Sequence, residues 1–186
     1  MDLPGIRKNI VFSLFFILLP VVLSGSIYLF FRTTDTVIYQ IFQVLFSSNN
    51  LDHIRTFLQH NLLTTPDWYI YNLPGGLWVF AFANFCFLLL NRDTKKYYKT
   101  ILFLLLGIVT SLEILQMFKL TDGRFDTMDI IFYLIASFSS LLIGTVRIQK
   151  LKYQPIFRSD KKPFYALGFT ICVFFASIYL ADVLVG

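Results

Sequence analysis

Three acidic residues and one arginine lie where long apolar runs normally exclude charge. Glu113 is inside the run at residues 98–118, Asp126 and Asp129 open the next run, and Arg124 comes just before them. A carboxylate at the centre of a bilayer costs about 2.5–3.5 kcal/mol, and less near the surface. Carboxylates bind divalent cations, and arginine binds phosphate or carboxylate groups. The pattern therefore indicates either a binding site or a network of charged groups that stabilise one another.

Helical spacing places these side chains on two surfaces that can meet. Glu113 and Gln116 are three residues apart and share one helical face. Asp126, Asp129 and Tyr133 share a face of the following helix. Because a seven-residue loop separates the two runs, we expect the helices to be antiparallel neighbours with these faces in contact.

The acidic residues lie at helix ends of opposite polarity. Asp126 is placed to be an N-cap with Asp129 in the first turn, where the helix dipole favours negative charge. Glu113 lies near a helix C-terminus and needs either a proton or a donor. Three residues could donate to it: Lys119, Gln116 and Arg124.

Two interpretations of this cluster follow, and the spacing does not separate them. In one, it is a structural capping network in which Glu113 pairs with Arg124. In the other, it lines a pocket for a polar or phosphorylated headgroup, with a divalent cation as a candidate cofactor. The candidate metal ligands are Glu113, Asp126 and Asp129. The candidate ligand-binding residues are Asn72, Glu113, Gln116, Arg124, Asp126, Asp129 and Tyr133.

The rest of the chain reads as the scaffold for this site. Of its 186 residues, 56% are hydrophobic, and they form five blocks of the length that crosses about 30 Å of hydrocarbon. We therefore predict an all-α polytopic bundle that forms a single integral-membrane domain over residues 1–186. The predicted spans are residues 9–31, 68–90, 98–118, 126–146 and 164–184.

Two segments outside the acidic hairpin carry further signals. Residues 37–45 and 51–62 are amphipathic, which fits either two short helices on the membrane surface or an ordered loop packed on the bundle. In the second stretch Asp52, Arg55 and Gln59 are expected to face away from the apolar side. Residues 72–76, Asn-Leu-Pro-Gly-Gly, indicate either a broken helix end beside a polar cavity or close helix packing through glycine.

Lysine and arginine are distributed unevenly between the two ends of the spans. Twelve of the sixteen lie before residue 9, in residues 91–99 and in residues 147–163, and four lie in the other connections. Basic residues favour the cytoplasmic side. We therefore predict a cytoplasmic N-terminus, an external C-terminus and an acidic hairpin at the outer face. The net charge of +5 is explained by this topology and does not indicate a nucleic-acid partner.

The hairpin resembles the VanZ-like membrane protein family. The resemblance lies in Glu113-x-x-Gln116, a short loop with Arg124, and Asp126-x-x-Asp129 opening an apolar helix. The chain departs from the usual family pattern at Tyr133, where Asn is usual. The resemblance implies a bacterial cytoplasmic (inner) membrane protein of the cell envelope, in a family whose founding member is linked to resistance to the glycopeptide teicoplanin.

Three functions are compatible with these features. The first is binding of a membrane lipid or a lipid-linked envelope precursor at the outer face. The second is an enzyme acting on a lipid-linked phosphate, with a carboxylate as general base or metal ligand. The third is a small transporter or a transporter subunit. The sequence does not determine the ligand, a reaction or the oligomeric state.

Overall fold

The computed structural model describes residues 9–32, 39–40, 42–43, 48–61, 66–90, 97–121, 124–150 and 168. Within these ranges all regular structure is helical, and four helices are long and apolar enough to cross a membrane. They are Asn9–Phe31, Asp67–Leu89, Tyr98–Met117 and Thr127–Val146. Each begins and ends within one residue of a predicted span. The fifth predicted span, residues 164–184, lies outside the described residues apart from Gly168.

Six α-helices have defined bounds in the described part of the chain. They are α1 (Leu19–Phe31), α2 (Ser48–Asn61), α3 (Asp67–Tyr71), α4 (Leu73–Leu89), α5 (Tyr98–Met117) and α6 (Thr127–Lys150). Helices α3 and α4 together make the second span, because the backbone between them keeps helical hydrogen bonds. The N–H of Asn72 donates to the Trp68 carbonyl (3.1 Å), and that of Gly76 donates to the Asn72 carbonyl (3.2 Å).

The first span contains a wide turn immediately before a proline. Leu14–Leu18 is π-helical, and the N–H of Leu19 donates to the carbonyl of Leu14. Pro20 has no N–H and cannot donate to the carbonyl four residues earlier. A π-turn is one way a helix accommodates such a defect without ending. The first span therefore continues past Pro20 with a π-turn on its N-terminal side.

Helix α4 is the central element. In the most apolar stretch of its span 67% of residues are buried, against 22% in each of the other three spans. The core around it includes Phe82, Ala83, Cys86 and Phe87 from α4 together with Leu102 and Leu105 from α5. Large apolar side chains on α5 and α6, such as Phe103 and Phe138, are exposed, as expected of helices that face lipid.

Glycine allows α4 and α6 to lie close together. A Cβ at Gly76 would be 3.0 Å from Cβ of Phe132, and one at Gly144 would be 3.3 Å from Cδ2 of Phe87. Gly75 meets Tyr133 near the start of both helices, and Gly144 meets Phe87 near their ends, so the two helices run parallel. The segment at residues 72–76 thus shows close packing at its glycines, and a boundary between two helices at Asn72, whose side chain bonds Asp126 and Asp129.

Helix α2 contradicts the predicted orientation of its polar face. Arg55 donates to the carbonyls of Leu29 and Arg32, and Gln59 Nε2 donates to that of Phe30 (2.9 Å). Carbonyls at a helix C-terminus lack intrahelical donors, and a cation there is also favoured by the dipole. Arg55 and Gln59 therefore face the end of α1, and the prediction that they face away is wrong. Of the other predicted surface helix, only residues 39–40 and 42–43 are described, and they are helical.

A left-handed residue ends α5 and turns the chain towards α6. Lys119 has φ 57°, its N–H donates to the Gln116 carbonyl (2.9 Å), and the N–H of Leu120 donates to the Leu115 carbonyl (2.9 Å). These two bonds form a Schellman motif, which usually has glycine at the left-handed position. The motif closes α5 one turn after Glu113 and directs the chain back to Asp126.

Candidate functional site

One end of the bundle gathers polar side chains from α5, α6 and the junction of α3 with α4. We call this group the carboxylate site. It consists of Asn72, Glu113, Asp126, Asp129 and Tyr133. Five of the seven predicted ligand-binding residues are thus brought together by hydrogen bonds.

Asn72 connects the two aspartates. Its side chain is buried, and Nδ2 donates to Asp126 Oδ2 (2.9 Å) and to Asp129 Oδ1 (3.1 Å). An amide nitrogen has two N–H groups, so both donors are used on carboxylates. Hydrogen bonds to charged acceptors are stronger than those between neutral groups. The amide therefore offsets part of the repulsion between the two negative charges.

Asp126 is the N-cap of α6, as its position predicted. Its Oδ1 accepts from the N–H of Met128 (2.9 Å), the second residue of the helix. Donation from the Asn72 amide, and after it from the Met128 N–H, holds the pKa of Asp126 below its ordinary value. The carboxyl group of Asp126, at the N-terminus of α6, is therefore ionised at neutral pH.

Glu113 is buried, with 5% of its surface exposed, and two donors reach it. The hydroxyl of Tyr133 donates to Oε1 (3.3 Å), and the backbone N–H of Asp126 donates to Oε2 (3.4 Å). Both bonds are long, and both come from the α6 side of the hairpin. Neither donor was among the three that the sequence suggested. The facing of the two helices, however, is as the spacing predicted.

The cation beside the site is Arg32, at the end of α1. Its guanidinium lies over the ring of Tyr28 (4.1 Å to the centroid), and its Nη2 donates to the Tyr71 carbonyl (3.0 Å). Tyr71 immediately precedes Asn72, so this bond places the guanidinium at the edge of the carboxylate site. Arg32 Nε is buried and has no hydrogen-bond partner in the described part of the chain. Sequence reasoning missed this residue, although a lone arginine directly after an apolar, aromatic run was a usable signal.

The two remaining predicted residues lie at the margin. Arg124 is exposed, and its charge is the weakest of the influences on Asp126. Gln116 is half-buried one turn beyond Glu113. Among the residues that the structure describes, no group of three or more His, Cys, Asp or Glu side chains could hold a metal ion. Glu113, Asp126 and Asp129 do not form such a group, and their role as metal ligands stays a prediction.

A second polar group lies deeper between α4, α5 and α6, and we call it the amide–hydroxyl cluster. It consists of Asn84, Tyr98, Ser137 and Ser140. Asn84 Nδ2 donates to the Phe80 carbonyl (2.8 Å) and to Ser140 Oγ (3.0 Å). The Tyr98 hydroxyl donates to the Ser140 carbonyl (3.1 Å). Sequence reasoning assigned no role to these residues, because isolated serine and asparagine in apolar runs carry no motif.

The described helices form an all-helical protein whose four long apolar helices are compatible with a multi-pass membrane protein, and the carboxylate site lies at one end of these helices. Comparison with family models, with curated proteins and with solved structures gave no match to the chain. The VanZ-like resemblance therefore stays a prediction that rests on the hairpin residues.

Proposed function

We propose that this protein binds a polar or phosphorylated lipid headgroup at the carboxylate site, with Arg32 as the group that contacts the phosphate. The observation that carries the proposal is that the buried Nε of Arg32, beside the site, has no hydrogen-bond partner among the residues that the structure describes. A buried donor without a partner costs about 1–3 kcal/mol, and more when it is charged. An anionic oxygen supplied by a ligand would remove that cost.

The surroundings of Arg32 favour a ligand rather than a mobile surface side chain. The guanidinium is held between the rings of Tyr28 (4.1 Å) and Tyr71 (5.5 Å), which restricts its rotation. Arginine forms paired hydrogen bonds with phosphate because its donors lie in a rigid plane. A pre-oriented guanidinium loses less conformational entropy when the phosphate arrives.

The depth of the site matches that of a headgroup. Glu113 is five residues before Phe118, which places it about 7–8 Å below the helix end at 1.5 Å per residue. Trp68, Tyr69 and Tyr71 lie at the same end of the second span, and such residues are enriched at the membrane–water interface. The charge asymmetry of the connections supports an external location for this end, with the N-terminus in the cytoplasm.

The carboxylates supply the second half of the recognition. Asp126 is ionised at neutral pH and lies at a helix end, where it can accept from ammonium or hydroxyl groups of a ligand. A headgroup that carries both a phosphate and hydrogen-bond donors therefore fits better than a bare phosphate. Aminophospholipids and lipid-linked envelope precursors both belong to this class.

The family resemblance extends the proposal to the cell. It supports placement in the bacterial cytoplasmic membrane and a role in the envelope, with an effect on susceptibility to teicoplanin. The long apolar helices and the uneven distribution of basic residues agree with a multi-pass membrane protein. Only the hairpin motif supports the bacterial envelope role and the effect on teicoplanin susceptibility.

Lipid binding by two arginine variants tests the role of Arg32. Purified protein in detergent is titrated with phosphatidylethanolamine and, separately, with phosphatidylcholine, and bound lipid is counted by native mass spectrometry. We expect Arg32→Gln to weaken phosphatidylethanolamine binding about tenfold, which corresponds to 1.4 kcal/mol. Arg124→Gln removes the same charge from an exposed position and is expected to change binding less than twofold.

The carboxylates are tested by a second matched pair. Asp129→Asn removes a site charge, whereas Asp67→Asn removes an exposed charge from the first turn of α3. We expect only Asp129→Asn to weaken the preference for phosphatidylethanolamine over phosphatidylcholine. Equal binding by Arg32→Gln, Asp129→Asn and the unmodified protein would show that the cluster is a structural network and would overturn the proposed function.

A further inference from the structure

Two buried polar atoms in the amide–hydroxyl cluster have no hydrogen-bond partner within the described ranges. They are Asn84 Oδ1 and Ser137 Oγ. Asn84 is completely buried, and Ser137 has 8% of its surface exposed. Both belong to the described part of the chain, and neither is near the helix ends that form the carboxylate site.

Leaving these atoms unpaired would be costly. An amide oxygen or a hydroxyl buried without a partner costs about 1–3 kcal/mol by protein mutation data. A buried serine in a helix usually bonds the carbonyl four residues earlier, and Ser137 does not do so here. Two such atoms on neighbouring helices indicate a common partner that the described side chains do not supply.

The two atoms belong to residues on facing helices, about one helical turn apart. Asn84 reaches across to Ser140 on α6, with 3.0 Å between Nδ2 and Oγ. Ser137 precedes Ser140 by three residues and therefore lies on the same face of α6. Its hydroxyl is thus one turn away from the Asn84 amide, on the side towards Tyr133.

We propose that an ordered water molecule binds between Asn84 and Ser137 in the interior of the bundle. The water would donate to Asn84 Oδ1 and bond the Ser137 hydroxyl. It would extend the polar stripe of α6 inward from Tyr133 through Ser137 to Ser140. Buried waters of this kind make two to four hydrogen bonds to otherwise unsatisfied groups.

The chemistry of the site favours water over a metal ion. Its ligating atoms are one neutral amide oxygen and one hydroxyl, and the neighbouring members Tyr98 and Ser140 are also neutral polar groups. A cation bound there would have no compensating charge in a low-dielectric interior. Water supplies the donor that the amide oxygen needs and adds no charge.

The direction in which Ser137→Ala changes the folding equilibrium constant distinguishes a hydrated site from a dry one. If a water is bound, Ser137→Ala removes one of its partners, and the folding equilibrium constant is expected to fall about tenfold. If the site is dry, the same change deletes an unsatisfied hydroxyl, and the constant stays the same or rises. Ser111→Ala, on an exposed serine that bonds its own helix at Gly107, is the control and is expected to change the constant less than twofold.

A double substitution and a direct observation complete the test. No bond joins Asn84 and Ser137 directly, so a dry site offers no shared hydrogen-bond partner through which the two substitutions could be coupled. With a shared water, Ser137→Ala should cost less in the Asn84→Leu background than in the unmodified protein. An experimental density map at about 2 Å should show a water within hydrogen-bonding distance of both atoms. Additive effects together with empty density would overturn the proposal.

Discussion

The carboxylate site and the amide–hydroxyl cluster lie along the same side of α6 but satisfy their polar groups differently. At the start of the helix, Asp126 and Asp129 use free backbone N–H groups, the helix dipole and the Asn72 amide. Ser140 is thirteen residues after Thr127, or about 20 Å along the helix, where no backbone N–H is free. There the polar groups are neutral and bond mainly to one another and to backbone carbonyls.

This difference shows how the chain keeps charge inside an apolar bundle. Carboxylates are tolerated where three helices end together and an arginine lies nearby. Deeper in the bundle only groups without charge are found among the described members of the cluster. The first region is therefore suited to binding charged ligands, and the second to joining helices and, as proposed, to holding water.

The largest expected effect is a difference in unfolding free energy between substitutions at Asn72 and at Asn84. Asn72→Leu leaves two adjacent carboxylates without their shared donor, and we expect it to lower the free energy of unfolding by about 3 kcal/mol, since hydrogen bonds to charged groups contribute about 1.5–3 kcal/mol each. Asn84→Leu removes bonds to neutral groups only and is expected to cost about 1 kcal/mol. Unfolding by sodium dodecyl sulfate in mixed micelles measures both. Equal losses would mean that charge does not distinguish the two regions.

Two glycines next to tyrosines give an intermediate effect. Gly144→Ala places a Cβ 2.8 Å from the Tyr98 ring, and such overpacking costs about 1–3 kcal/mol in unfolding free energy. Gly75→Ala places one 3.2 Å from the Tyr133 ring and should displace its hydroxyl from Glu113. We expect lipid binding to weaken severalfold in Gly75→Ala and to be unchanged in Gly144→Ala. A binding loss in Gly144→Ala would contradict the separation of the two regions.

The smallest effect is a pH dependence confined to the carboxylate site. The pKa of Asp126 is lowered in the folded state, so its contribution to stability is present above the ordinary aspartate pKa of about 3.9 and is lost as pH falls through the lowered value. The stability difference between the unmodified protein and Asp126→Asn should therefore shrink below about pH 4. The difference for Ser140→Ala should stay constant over the same range, because that residue does not titrate. A stability difference for Asp126→Asn that does not change with pH would show that the charge of Asp126 does not contribute to stability.

The sequence predicted those parts of the molecule that depend on local periodicity. Apolar length placed four spans to within a residue, and helical spacing brought Glu113, Asp126, Asp129 and Tyr133 together. Asn72 joined them because it was recognised as polar and close to a helix end.

What the sequence did not predict depends on contacts between distant segments. Arg32 contacts Tyr71, thirty-nine residues away, and the ends of two helices must meet before that pairing exists. Arg55 and Gln59 were expected to face away from the apolar side because an amphipathic pattern defines faces but not partners. The free carbonyls at the end of α1 decided their orientation. Asn84 and Ser140 likewise form their hydrogen bond only when α4 and α6 lie side by side, which the sequence does not reveal.

The most direct test of the central claim is an experimental map of the protein in nanodiscs that contain phosphatidylethanolamine. The proposal predicts headgroup density with a phosphate within about 3 Å of Arg32 Nε, the distance of a charge-assisted hydrogen bond. The rest of that headgroup should contact Asp126 or Asp129. A map in which Arg32 pairs with a side chain of the protein itself, and lipid headgroups lie elsewhere, would contradict the claim.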